Sequence, residues 1–234
     1  NTFNMIINHN TQLKVMQVLV KYWYSEFSAY ELAKEAGITA PMAYQSIRLF
    51  NKYNLLIKHH SKVKINFKTH FASQFKMLYD AQRFALLPAE TQQKIDYMYQ
   101  VFQTEYRHTL LAFLIFGSVA SGETTLTSDI DVLALVTEKK DFDYKRKGLF
   151  HLGKINIIEK DIKEWETEYL AAHDLILNAL MNGIILHDTG IIRNFMQKPL
   201  PQPSPESILH KKERLRILKD RLLLLLKDTD YERL

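Results

Sequence analysis

The chain has 234 residues, a net charge of +5 and no cysteine, a length that accommodates two small domains. Without cysteine there are no disulfides, no thiol catalysis and no cysteine-ligated zinc. No apolar run reaches the ~18 residues of a membrane span, and the opening NTFNMIINHN has neither the basic start nor the cleavage site of a signal peptide; the expectation is a cytoplasmic chain.

The charge is unevenly spread. Residues 1–70 carry nine Lys/Arg against three Asp/Glu, whereas residues 108–189 carry eight against thirteen. A basic block beside an acidic one predicts different partners for the two parts. The first suits a polyanion and the second suits metal.

Residues 11–23 place Leu13, Met16, Val20 and Trp23 at helical spacing. Ser28 and Glu31 read as a capping box opening a second helix, which Gly37 ends in a left-handed turn. Thr39 caps a third helix with Pro41 in its first turn; it buries Ala43, Ile47 and either Phe50 or Leu49. Alternation over 55–60 and 62–67 then predicts a hairpin. Three helices followed by a two-stranded wing resemble a winged helix-turn-helix domain. That resemblance implies a recognition helix exposing Tyr44, Gln45, Arg48 and Lys52, with Ser61 and Lys62 at the wing tip. Tyr, Gln and Arg suit base edges or phosphates, and lysines suit phosphates. The same architecture also serves dimerisation or structural capping.

Residues 71–86 have Phe71, Phe75, Leu78 and Ala85 at helical spacing, and Pro88 ends this helix. A second helix over 90–107 carries Ile95, Met98, Tyr99 and Phe102 on one face. The apolar run Leu110–Phe116 then reads as a buried strand. It ends at Gly117-Ser118, and ten residues later Asp129-Ile130-Asp131 leads into another apolar run. In a strand, residues i and i+2 face the same way. Two carboxylates so placed repel unless a cation lies between them, and Mg²⁺ (or Mn²⁺) suits such oxygen ligands.

This spacing resembles the nucleotidyltransferase superfamily that includes DNA polymerase β, and most closely its minimal members, with their GSxARG…SDIDL form. Gly117, Ser118, Gly122 and Ser128-Asp129-Ile130-Asp131 match; Ser121 stands where the form has Arg. The resemblance covers roughly residues 108–190. It implies an NTP substrate and transfer of a nucleoside monophosphate to an acceptor hydroxyl. Gly117, Ser118 and Ser128 would bind the nucleotide, Gly117 by letting the backbone approach a phosphate. Asp129 and Asp131 would be the catalytic carboxylates and metal ligands. The family adds a third carboxylate on a later strand. The matching strand here, residues 154–159, has Asn156 at that position. Asn offers a carbonyl oxygen but no charge and no base. Glu159, or Asp161 beyond it, replaces the missing acid only if the strand bulges or ends there.

Residues 161–183 are expected to be helical and 183–188 to form a closing strand. His173 and His187 read as ordinary core or surface residues. A proline-rich stretch, 198–205, precedes an amphipathic basic helix over 205–226, whose leucine face predicts intramolecular packing or a homodimer contact. The expected class is α+β: a winged helix-turn-helix over 1–70, connecting helices over 71–107, a polymerase β-like nucleotidyltransferase domain with a mixed sheet over 108–190, and the proline-rich linker with a C-terminal helix over 191–234. Three functions fit this organisation: a nucleotidyltransferase, a DNA-binding regulator with a weakened catalytic domain, and an antitoxin. Minimal members of the superfamily often pair with HEPN-type ribonuclease toxins. Arg146 and His151 have such a toxin's motif spacing by chance, so a toxin partner here is a separate chain.

Overall fold

The computed structural model describes residues 9–122, 129–140 and 155–205, together with 208–209, 212–213 and 215–219. Helices α1 (Asn10–Lys21), α2 (Ala29–Ala36) and α3 (Ala40–Lys52) come first, followed by strands β1 (Leu56–His59) and β2 (Lys62–Ile65). The two strands pair antiparallel, with Leu56 opposite Ile65 and His59 opposite Lys62. Phe27 adds a bridge to Val63, which fastens the hairpin to the segment before α2.

The capping box at α2 forms as the sequence predicts. Ser28 Oγ accepts from the Glu31 amide at 3.2 Å, and the Glu31 carboxylate accepts from the Ser28 amide at 2.7 Å. Gly37 closes the helix at φ +61°. Ser28→Ala is expected to cost about 1 kcal/mol, read as a lower midpoint in urea. The Ser28 amide and hydroxyl, with the Lys62 ammonium, hold the Glu31 carboxyl at about 2, down from 4.5. Its contribution to stability is therefore complete above about pH 4.5 and is lost as pH falls through about 2.

Next come α4 (His70–Ala85) and α5 (Ala89–Tyr106), then β3 (Leu110–Phe116), α6 (Gly117–Ser121), β4 (Ile130–Val136) and β5 (Ile155–Asp161). Helices α7 (Ile162–Leu170) and α8 (Asp174–Asn182), strand β6 (Ile184–Asp188) and helix α9 (Ile191–Met196) follow. The four strands form one mixed sheet in the order β5-β4-β3-β6. β3 runs antiparallel to β4 and β6, and β4 runs parallel to β5. The chain is thus α+β. No described helix is long and apolar enough to cross a membrane.

Residues 161–183 are not one helical segment. Asp161 belongs to β5 and caps α7, and a break at Ala171–His173 separates α7 from α8, with Ala172 at φ +52°. The break lets Trp165 and Tyr169 of α7 and Ile176, Ala179 and Leu180 of α8 join one core. A straight helix would carry one of those sets past it.

The sheet is buried on both faces. Phe113, Ile115, Ile130, Val132 and Ala134 face α5, meeting Ile95, Met98 and Phe102. Ala112, Leu114, Phe116, Leu133 and Leu135 face the other way, into a core that continues without a break to Val15, Leu19 and Trp23 of the N-terminal helices. The Trp23 indole donates to the Leu180 carbonyl at 3.2 Å across this junction. The N-terminal unit and the sheet therefore share apolar burial, the main favourable term in folding. The predicted C-terminal helix lies mostly outside the described residues. Those of its residues that are described are helical, but Leu209, Leu215 and Leu218 remain exposed.

Candidate functional site

Strand register brings the central residues together. Phe116 lies opposite Asp131, so the turn at Gly117 meets the start of β4. On the other side of β4, Asp131 lies beside Asn156. Asp131 Oδ1 accepts from Asn156 Nδ2 at 3.1 Å. Asp129 stands exposed one residue before β4. Ser118 is half-buried in the first turn of α6, and Gly122 ends that helix at φ +79°.

Gly117 has φ +71°, and a Cβ there would lie 2.2 Å from Asp131 Oδ2. The left-handed backbone favours glycine, and an added Cβ would displace the Asp131 carboxylate. The sequence pattern links this glycine to a phosphate. In the structure its missing side chain makes room for Asp131.

Glu159 lies away from the Asp131–Asn156 pair. β5 pairs with β4 regularly from Ile155 to Asp161, with no bulge, and Glu159 lies beside Ala134. It is three positions on from Asn156, about 10 Å along the strand and an odd step to the opposite face. Asp161 is also committed elsewhere. It accepts from the Glu164 amide at 2.9 Å as the cap of α7. Among the described residues, no group of three or more metal-binding side chains forms. Ser128 lies outside the described residues, as do Arg146 and His151.

On α3, Ala43, Ser46 and Phe50 are buried while Tyr44, Gln45, Arg48 and Lys52 are exposed. These four share the outer face, as the helical period requires. Lys62 at the hairpin donates to Glu31 Oε1 at 3.2 Å, so its charge is partly engaged within the protein.

Sequence reasoning missed a buried charge cluster on α4. Asp80 is fully buried and Lys76 nearly so. Lys76 bonds Asp80 Oδ2, which also accepts from the Ile185 amide at 3.1 Å. Arg83 donates to Asp80 Oδ1 at 3.2 Å. Burial pushes the Lys76 pKa down and Asp80 opposes the shift. The spacing i, i+4, i+7 was visible, but it reads equally as a solvated helix face. Nothing in the sequence marks that face as buried against β6.

Residues 93–190 match the family model described as polymerase beta, nucleotidyltransferase. Over these residues the chain is similar to that family. The match begins inside α5 and ends just after β6, so it takes in the whole four-stranded sheet and the Gly117–Asp131–Asn156 cluster. No curated protein matches the chain. A solved structure described as "Crystal structure of the toxin-antitoxin with AMP-PNP" is similar at 17% identity and a TM-score of 0.33, over 55% of this chain and 98% of its own.

Proposed function

We propose that this protein is a nucleotide- and metal-binding regulator. It uses a nucleotidyltransferase-type domain whose transfer chemistry is weakened, joined to a DNA-binding winged helix at the N-terminus. The observation that supports this reading is the hydrogen bond from Asn156 to Asp131 between paired strands, since the sequence resemblance would put the third carboxylate at Asn156.

The oxygen donors of Asp129 and Asp131 suit Mg²⁺, which binds proteins through one or two carboxylates and takes its remaining ligands from phosphates and water. Asn156 would add a carbonyl oxygen if its amide turns over. When bound, the metal neutralises triphosphate charge and polarises the phosphoryl oxygens. The chain's own part is to bind and orient. Ser118 and the amides of the first turn of α6 take up phosphate, and Gly117 keeps Asp131 in place. Asn156 has no carboxylate to accept a proton from an attacking hydroxyl, and neither Glu159 nor Asp161 reaches that position. The domain therefore retains nucleotide while turnover falls.

The test of the site is a titration of Mg·NTP against the wild type, Asp129→Ala and Asp131→Ala. Each variant is expected to lose at least tenfold in affinity, with its melting temperature close to wild type. Unchanged affinity in both refutes the metal site.

The net basic N-terminal unit, and the exposed row Tyr44, Gln45 and Arg48 on α3, support DNA binding by the head. Arg48→Ala with Lys52→Ala is expected to weaken binding to duplex DNA from the protein's own promoter region. The salt slope should fall by about 1.8, or ~0.9 for each phosphate that is no longer neutralised. No salt-dependent binding by the wild type refutes this assignment.

A further inference from the structure

We propose that Arg83, on α4, is the positioning residue for the nucleotide site, acting through α6. The inference rests on the nucleotide reading above. Helix α6 carries Gly117 and Ser118 but is only five residues long, too short to hold its own shape. Its amino end is fixed by β3. Its carboxyl end packs through Val119 and Ala120 and is held by Arg83. Arg83 Nη2 donates to the Ala120 carbonyl at 2.7 Å.

The same guanidinium holds a second helix end. It donates to the Asn182 carbonyl at 2.8 Å and the Gly183 carbonyl at 3.0 Å, where α8 stops. A cation at two helix carboxyl ends satisfies carbonyls that have no partner within their helices and complements both dipoles. Asp80, fully buried, orients the guanidinium. Only arginine offers a planar fork of five donors for such an arrangement.

Arg83 also reaches back toward the head. Its guanidinium lies over the ring of Tyr79 on the same helix at 5.7 Å, and it lines an open crevice with Lys14, Gln17 and Lys21 of α1 and with Tyr22, which follows that helix.

The experiment uses the full chain with Arg83→Lys and Arg83→Ala. It measures affinity for Mg·ATP, Mg·GTP, Mg·CTP and Mg·UTP, and amide hydrogen exchange across α6 and α2. Lysine keeps the charge beside Asp80 but cannot span the carbonyls. Arg83→Lys is expected to bind nucleotide about tenfold more weakly and to exchange faster in α6, while α2 keeps its protection. Millimolar guanidinium is expected to restore part of the affinity of Arg83→Ala, which a merely destabilised protein would not regain. Wild-type nucleotide affinity and α6 protection in Arg83→Lys overturn the inference while leaving the nucleotide site standing. Failure of the wild type to bind any of the four nucleotides overturns the nucleotide reading itself, and this inference with it.

Discussion

Asp80→Ala is expected to destabilise the protein by about 3–5 kcal/mol, the cost of breaking a buried ion pair from one side. Asp80 has no exposed surface and receives Lys76, Arg83 and the Ile185 amide. Its removal leaves a buried ammonium without its counter-ion and an amide of β6 without an acceptor. Either alone is costly in a low-dielectric interior. A loss of this size is a large part of the ~5–15 kcal/mol that holds a typical domain folded. It would be read in urea as a lower midpoint with an unchanged slope. Asp80→Asn keeps an acceptor for Ile185 and should cost less. A change below about 1 kcal/mol for Asp80→Ala would show that water or rearrangement compensates the cluster.

Gly117→Ala is expected to weaken nucleotide binding by displacing Asp131. The new methyl would sit 2.2 Å from Asp131 Oδ2, at a backbone angle of φ +71°. Asp131 must then move, and its hydrogen bond from Asn156 moves with it. Loss of Mg·NTP affinity should be at least tenfold, or ~1.4 kcal/mol. The strained backbone adds a stability loss of roughly 1–2 kcal/mol, so affinity is measured well below the melting transition. Tight binding by Gly117→Ala would mean that Asp131 is not a ligand in the way described.

Much of the fold could be read from local chemistry. Ser28, Glu31 and Gly37 fix α2 through contacts within a few residues, and the structure repeats them. The apolar runs at 110–116 and 130–136 announced buried strands. The site was legible for a related reason, since Gly117 and the Asp129–Asp131 pair sit at the ends of those strands. What was not legible depends on residues far apart in sequence. The parallel pairing of β4 with β5 decides that Asn156, and not Glu159, stands beside Asp131. Packing of α4 against β6 turns Lys76, Asp80 and Arg83 from an exposed-looking charge row into a buried cluster. The closeness of Asp131 to Gly117 is likewise visible only once the strand register is set.

The central claim is that Asn156 leaves a nucleotide-binding site with weakened transfer. The most direct measurement is label transfer from α-³²P-NTPs, with Mg²⁺ or Mn²⁺ and protein, tRNA and DNA acceptors, by the wild type and by Asn156→Asp. The wild type is expected to bind Mg·NTP yet transfer little label, and Asn156→Asp to bind the metal more tightly and gain transfer. Rapid transfer by the wild type, unimproved or reduced in Asn156→Asp, would contradict the account and place the protein among active nucleotidyltransferases.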